Sequence, residues 1–131
     1  AEKPQAAAEW LLRRTGPLAS TVAEAFLFTR SDGGDGPPDL QFHLAPAFFS
    51  DHGFEEFDGH AYTVGPVLVE PKARGEITLT SSDPAAKPRM IGNHLNDDGD
   101  IAAMVAGMKL AREIAATEPL ASATCFACSI R

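Results

Sequence analysis

One continuous run, PKARGEITLTSSDPAAKPRMIGNHL, constrains the fold of this chain more than any other stretch, and it spans Pro71–Leu95. Glycine and proline mark turns on either side of a short alternating segment. The run predicts a turn, a strand over residues 75–81, a second turn at Asp83-Pro84, a short extended piece and the approach to a helix. Residues 71–75 are expected to join this strand to the preceding one as a short antiparallel connection.

Three further segments have the composition of strands, residues 24–30, 39–46 and 61–70. The middle one alternates most clearly, with Leu40, Phe42 and Leu44 on one face and Gln41 and His43 on the other. Side chains of a strand point alternately to its two faces, so this pattern predicts one buried face and one polar face. We expect the polar face to be uncovered within this chain.

Two segments predict helices, residues 5–14 and about 97–117. Asn96, Asp97 and Asp98 supply capping side chains and negative charge at the start of the second. Apolar residues recur through it at helical spacing and are expected to face the core; they are Ile101, Met104, Val105, Met108 and Ala111. We therefore predict an α+β fold, an antiparallel sheet of four or more strands with helices packed on one face. The length predicts a single domain, residues 1–131.

Residues 47–60 have no clear period but carry four phenylalanines. This content predicts a lid or a contact surface more than a solvated loop; the residues are Phe48, Phe49, Phe54 and Phe57. His52 and His60 stand near Asp51 and Asp58, but their loop spacing defines no metal geometry, so no metal site is predicted.

Charge and hydropathy narrow the classes of function. The net charge of −7 argues against a surface for nucleic acid or anionic membranes, because both need clustered Lys and Arg. No apolar run approaches the length of a membrane span.

Cys125 and Cys128 form a C-x-x-C pair, which is half of a zinc site or a redox pair in other contexts. No second pair supplies further zinc ligands, so we expect two unpaired thiols and a reducing, cytoplasmic location.

Four short patterns occur in an order that resembles one enzyme family. The first covers residues 14–18 (R-x-GPL), the second residues 38–43 (P-D-L-Q-x-H) and the fourth residues 107–114 (G-x-K-x-A-R-E-I). The third is the run 71–95, with PKARG, then S-x-DP-like Ser82-Asp83-Pro84, then Pro88 and an N-Y-L-like Asn93-His94-Leu95. Together they resemble the substrate-binding domain of the FAD-dependent glucose-methanol-choline (GMC) oxidoreductases, nearest the choline and alcohol dehydrogenases. His94 departs from the usual tyrosine.

The resemblance implies a sheet that forms the wall and roof of a substrate cavity over the flavin. In such a parent enzyme, FAD accepts hydride from an alcohol carbon while a histidine base removes the hydroxyl proton. The flavin fingerprint G-x-G-x-x-G and the family's catalytic-histidine segment do not occur in these 131 residues. We therefore expect a piece of an enzyme, inactive alone and without bound FAD, whose partners are a missing FAD-binding domain and a small alcohol. Exposed apolar surface is expected to favour self-association.

The resemblance and the strand pattern together nominate five substrate-binding residues: Gln41, His43, Glu70, Phe48 and Phe49. Each has an alternative role. His43 can be satisfied by a neighbouring strand, Glu70 can be a solvated turn residue, and the phenylalanines can pack in a core. An alternative function stays open as well, a standalone, non-catalytic module that binds a small ligand or dimerises.

Overall fold

The structure is a computed structural model and describes residues 3–50, 52, 54–55 and 57–123. In that part the helices are α1 (Lys3–Arg13), α2 (Asp98–Ala115) and α3 (Leu120–Ala123), with a 3-10 turn at Pro17–Ala19. The strands are β1 (Ala25–Thr29), β2 (Leu40–Ala45), β3 (Thr63–Leu68), β4 (Glu76–Thr78) and β5 (Arg89–Ile91). This mixture of antiparallel strands and helices confirms the α+β prediction. None of the helices in the described ranges is long and apolar enough to cross a membrane.

The strands form two sheets and not one. Among the described residues, the first sheet has the order β1-β2-β3, and the second is the pair of β4 and β5. Backbone hydrogen bonds place the start of β1 beside the end of β2, from Glu24 N–H to Leu44 O, and the end of β3 beside the start of β2, from Val69 N–H to Asp39 O. Neighbouring strands are therefore antiparallel. The expected sheet of four or more strands was wrong in its strand count, since the fourth strand leaves the sheet.

The departure of β4 has a local cause in residues 71–75. In a hairpin, backbone groups of the connection would bond across to the partner strand. Here the N–H groups of Lys72 and Ala73 donate instead to the carboxylate of Asp100 in α2, at 2.9 and 2.8 Å. The connection is thus held to a helix, and the predicted antiparallel join of β3 to β4 was wrong.

The chain divides into two compact units. The first unit contains Ala1–Leu27 and His43–Gly65, and the second contains Phe28–Phe42 and Pro66–Arg131. In the first unit, α1 ends where Arg14 adopts a positive φ of 58°. The guanidinium of Arg14 lies 4.6 Å from the centre of the Trp10 ring, a cation–π contact at the helix end.

The second unit holds the core that the alternation of β2 predicts. Leu40 is 0% exposed and Phe42 is 2% exposed. Helix α2 packs on Leu40 and Pro66 through Gly107: a Cβ at Gly107 would lie 3.0 Å from Pro66 Cβ and 3.3 Å from Leu40 Cδ1. Glycine at this position therefore lets the helix approach β2 and β3 closely, and Ala111 one turn later is buried as well.

The apolar residues of α2 do not all face this core. Ile101 and Val105 are each 45% exposed, and Met108 is 39% exposed. Helix α2 carries two apolar faces, and Gly107 and Ala111 occupy the one that packs on the sheet. The prediction that Ile101, Val105 and Met108 belong to the core was wrong for that reason.

Candidate functional site

A hollow of about 340 Å³ opens in the second unit, where the end of β3, residues 71–75, residues 92–95 and the first turns of α2 meet. We call it the α2 hollow. Its lining is mostly apolar, with one imidazole and one carboxylate: Pro66, Val67, Leu68, Pro71, Ala73, Gly92, His94, Leu95, Asp100 and Met104. Concave sites with mostly apolar walls and few polar groups are the usual form of small-molecule sites.

Asp100 fixes one wall of the α2 hollow. It is 3% exposed, and its two carboxylate oxygens accept the N–H groups of Lys72 and Ala73. The bond from the Lys72 N–H has the largest effect in holding the pKa of Asp100 below its ordinary value. The bond from Ala73 and the nearby cationic side chains act in the same direction. Hydrogen bonds to an ionised carboxylate are stronger than those between neutral groups, so two of them hold the bonded backbone in place. Pro71 and Ala73 are thereby held as a wall of the hollow.

The start of α2 is prepared for this arrangement. Asp97 precedes the helix with an extended backbone, and its side chain accepts the N–H groups of Gly99 and Asp100 at 2.8 and 3.2 Å. These two bonds satisfy two of the helix's free N–H groups.

A second hydrogen bond links residues 71–75 to residues 92–95, two segments that contribute to the lining of the α2 hollow. The side-chain amide of Asn93 donates to the carbonyl oxygen of Arg74 at 3.0 Å. Asn93 and Leu95 both have positive φ, 51° and 55°. Leucine adopts this region at a cost of about 1–3 kcal/mol, and such strain concentrates at ligand clamps and active sites.

Glycine is required at position 75, next to the segment that is bonded to both Asp100 and Asn93. A Cβ on Gly75 would lie 2.7 Å from the carbonyl oxygen of Gly92 and would also meet the oxygen of Ile91. Only glycine permits so close an approach of two backbones. The glycine of the PKARG segment thus has a packing role in bringing residues 71–75 against the end of β5.

None of the five nominated substrate-binding residues lines the α2 hollow. His43 lies on β2 in the first unit, with its ring edge-on to Phe26 at 5.1 Å and 77°. Its Nε2 atom is buried and has no hydrogen-bond partner in the described part of the chain. The His43 side of β2 is therefore partly covered, in contrast to the uncovered polar face expected. Gln41, two residues earlier, is half-buried in the second unit.

The other three nominated residues are more exposed. Phe48 is 40% exposed and its ring lies 5.2 Å from that of Phe57, and Phe49 is 65% exposed. Glu70 is exposed and directly precedes Pro71, which lines the α2 hollow. The structure thus groups His43, Phe48 and Phe49 in the first unit and Gln41 and Glu70 in the second.

Sequence reasoning missed Asp100. The available signal was the acidic run 97–100, but a carboxylate near a helix start ordinarily indicates capping, which Asp97 performs. Among the described residues, no group of three or more His, Cys, Asp or Glu could hold a metal ion. Cys125, Cys128 and Asp51 lie outside the described residues.

Comparison with known sequences identifies related proteins. Residues 71–128, which include the hydrogen bonds of Asp100 and Asn93, match the family model described as GMC oxidoreductase. The chain is 46% identical, over 92% of its length, to an uncharacterized GMC-type oxidoreductase of Mycobacterium tuberculosis, of which it covers 23%. The chain is therefore homologous to GMC-type oxidoreductases over most of its length.

Two relatives have named activities. The chain is 39% identical, over 80% of its length, to an alcohol dehydrogenase [acceptor] of Pseudomonas putida, of which it covers 19%. It is 33% identical, over 87% of its length, to an oxygen-dependent choline dehydrogenase of Chromohalobacter salexigens, of which it covers 20%. The chain is homologous to these oxidoreductases and spans about a fifth of the length of the curated relatives it matches.

Proposed function

We propose that residues 1–131 form the substrate-binding domain of an FAD-dependent oxidoreductase that acts on the CH–OH group of a small alcohol. The observation that carries this proposal is the 39% identity to the Pseudomonas putida alcohol dehydrogenase over 80% of the chain. The similarity to a choline dehydrogenase points to the same bond as the site of reaction. The chain alone is expected to be inactive, because the chemistry of this class requires a flavin.

The residues of this chain do not fit FAD by themselves. A dinucleotide cradle needs a glycine-rich turn that opens a helix, so that the helix N-terminus faces the pyrophosphate. Gly33 and Gly34 instead belong to a loop folded around the Arg30–Asp32 ion pair at 2.5 Å, and this loop leads into β2. We therefore propose that the parent enzyme holds its FAD with residues outside this chain, in an FAD-binding domain of the same polypeptide.

His43 is the residue that we propose to contact the alcohol. A buried ring nitrogen without a hydrogen-bond partner is costly, and nearly all such atoms in proteins are paired. An alcohol hydroxyl can donate to or accept from this nitrogen. Phe48 and Phe49, which belong to the same unit as His43, would cover the carbon part of the substrate. The substrate-binding roles of Gln41 and Glu70, in the second unit, stay predictions.

A chimera tests this proposal. This chain would replace the matched segment of the Pseudomonas putida alcohol dehydrogenase, and alcohol-dependent reduction of an artificial acceptor would be measured. Loss of one hydrogen bond is worth about 0.5–1.5 kcal/mol, so His43→Ala should lower kcat/KM by about 2–10-fold. His60→Ala, which changes an exposed histidine elsewhere, is the matched control and should leave it unchanged. A folded chimera that oxidises no alcohol would contradict the proposal.

The coding DNA on either side of this segment would distinguish the flavoenzyme from the alternative function, a standalone module that binds a small ligand or dimerises. An upstream in-frame G-x-G-x-x-G and a downstream catalytic-histidine segment would support the flavoenzyme. Stop codons close on both sides would contradict it and leave the module. The exposed apolar residues of β4 and β5 favour the flavoenzyme. We further propose a cytoplasmic location, and the basis for it is only the expectation that Cys125 and Cys128 are unpaired thiols.

A further inference from the structure

Strands β4 and β5 form a two-stranded ladder that is apolar on one face. In their antiparallel register Ile77 lies directly opposite Met90, and Leu79 follows Ile77 by two residues on the same face. We call these three side chains the ladder face. Ile77 is 73% exposed, Met90 is 71% exposed and Leu79 is 88% exposed. The alternation that predicts a sheet face around Ile77 and Leu79 therefore exists, but nothing in the described residues covers it.

The opposite face of the ladder is different. Glu76, Thr78 and Arg89 lie on it as exposed polar side chains, and Ile91, opposite Glu76, is half-buried there. Such a division is the pattern of a strand pair with one buried and one solvated face. A two-stranded ladder is marginal in water and becomes stable when its apolar face packs on something else.

The comparisons indicate what that cover is. The ladder lies inside residues 71–128, which match the GMC family. In each relative about four-fifths of the polypeptide lies outside the matched segment. Self-association is also expected of exposed apolar surface, but two copies of a chain with net charge −7 repel each other, so a second copy is the poorer partner.

We propose that the ladder face is a docking surface for an apolar patch of the rest of a GMC oxidoreductase polypeptide. This inference rests on the proposed function, since it needs a longer parent chain. It assigns β4 and β5 a role in holding the substrate-binding domain to the remainder of the enzyme.

The test is the reactivity of one engineered thiol. Met90→Cys would be made in the isolated chain and in the Pseudomonas putida chimera. Labelling by a maleimide would be followed on the peptide that carries residue 90, so that other cysteines do not contribute. Thr78→Cys, on the polar face of the same ladder, is the matched control.

We expect the thiol at residue 90 to react freely in the isolated chain. In the chimera it should react more slowly by about tenfold or more, because a covered side chain reacts only through local opening. The control thiol should react at similar rates in both. Equal rates for Met90→Cys in the two proteins would overturn the proposal. Protection in the concentrated isolated chain, together with a defined dimer, would overturn it in favour of a second copy.

A second measurement applies if the chimera does not fold. The isolated chain would be titrated with the separately expressed remainder of the Pseudomonas putida enzyme. Met90→Lys should abolish binding and Thr78→Lys should not; no binding by the unaltered chain, or equal binding by Met90→Lys, overturns the proposal.

Labelling does not depend on activity, so a protected but inactive chimera would contradict the proposed function alone. An active chimera with an unprotected thiol would contradict only the docking surface.

Discussion

Replacing Gly107 by alanine in α2 should destabilise the protein, although alanine is the better helix former. The new Cβ would lie 3.0 Å from Pro66 Cβ and 3.3 Å from Leu40 Cδ1, shorter than the optimal carbon–carbon separation of about 3.5–4.0 Å. Helix propensity favours alanine over glycine by about 1 kcal/mol. Crowding a packed core with an extra methyl group costs about 1–3 kcal/mol. The net expectation is a loss of about 0–2 kcal/mol of unfolding free energy.

Leu40→Ala isolates the cause of that loss. Leu40 is 0% exposed, so its truncation alone should cost about 2–5 kcal/mol. In the truncated background the contacts with Leu40 are gone, while the one with Pro66 Cβ stays. The cost of Gly107→Ala should therefore be smaller there than in the unaltered chain, with a coupling energy of about 0.5–3 kcal/mol between the two sites.

Urea unfolding followed by far-ultraviolet circular dichroism measures these free energies, with an unchanged m-value as the check that both states stay comparable. Ala102→Gly, at an exposed position of the same helix, is the control and should cost about 1 kcal/mol through propensity alone. An increase of about 1 kcal/mol for Gly107→Ala in the unaltered background would refute the close packing of α2 on β2 and β3.

Three further predictions concern single side chains. Asp100→Asn should lower the urea midpoint at neutral pH. The fold lowers the pKa of this carboxyl, so the carboxylate stabilises the protein above the unfolded pKa of about 3.9 and stops doing so as pH falls through the folded pKa. The difference in urea midpoint between the unaltered chain and Asp100→Asn should therefore disappear in acid. A difference that stays constant with pH would argue against a role for the carboxylate. Gly75→Ala should lower the thermal midpoint, since its methyl group would lie 2.7 Å from the carbonyl oxygen of Gly92, and an unchanged midpoint would contradict that contact. Ser31→Ala should raise the pKa of Asp39 toward its ordinary value in an NMR titration, because the Ser31 hydroxyl donates to it at 2.6 Å; no change would show that the bond is unimportant.

The local pattern was sufficient to predict the core of β2. Alternation with period two assigns every second side chain to one face, and Leu40 and Phe42 are buried as predicted. The same reasoning failed for α2, because its apolar residues form two faces and only contact with the sheet decides which one is buried. Gly107 is the visible reason for that choice, since it permits the closest approach.

The α2 hollow depends on contacts between segments far apart in sequence. Asp100 is one of several acidic residues at a helix start, and its inward orientation is decided by the free N–H groups of residues 71–75. The strand prediction for residues 75–81 was correct in type, but its partner was assigned to β3. A short apolar strand does not specify its partner by itself, and here the bonds to Asp100 divert it toward β5.

The Asp100 bonds also bear on the order in which the chain can assemble. The acceptor follows its donor Lys72 by 28 residues. At a synthesis rate of roughly 5–20 residues per second, residues 71–75 leave the ribosome about 1–6 s before Asp100 does. During that interval this turn lacks its acceptor, so its final conformation must wait for the first turn of α2. A truncation placed anywhere between β4 and α2 would leave the turn permanently in that early state.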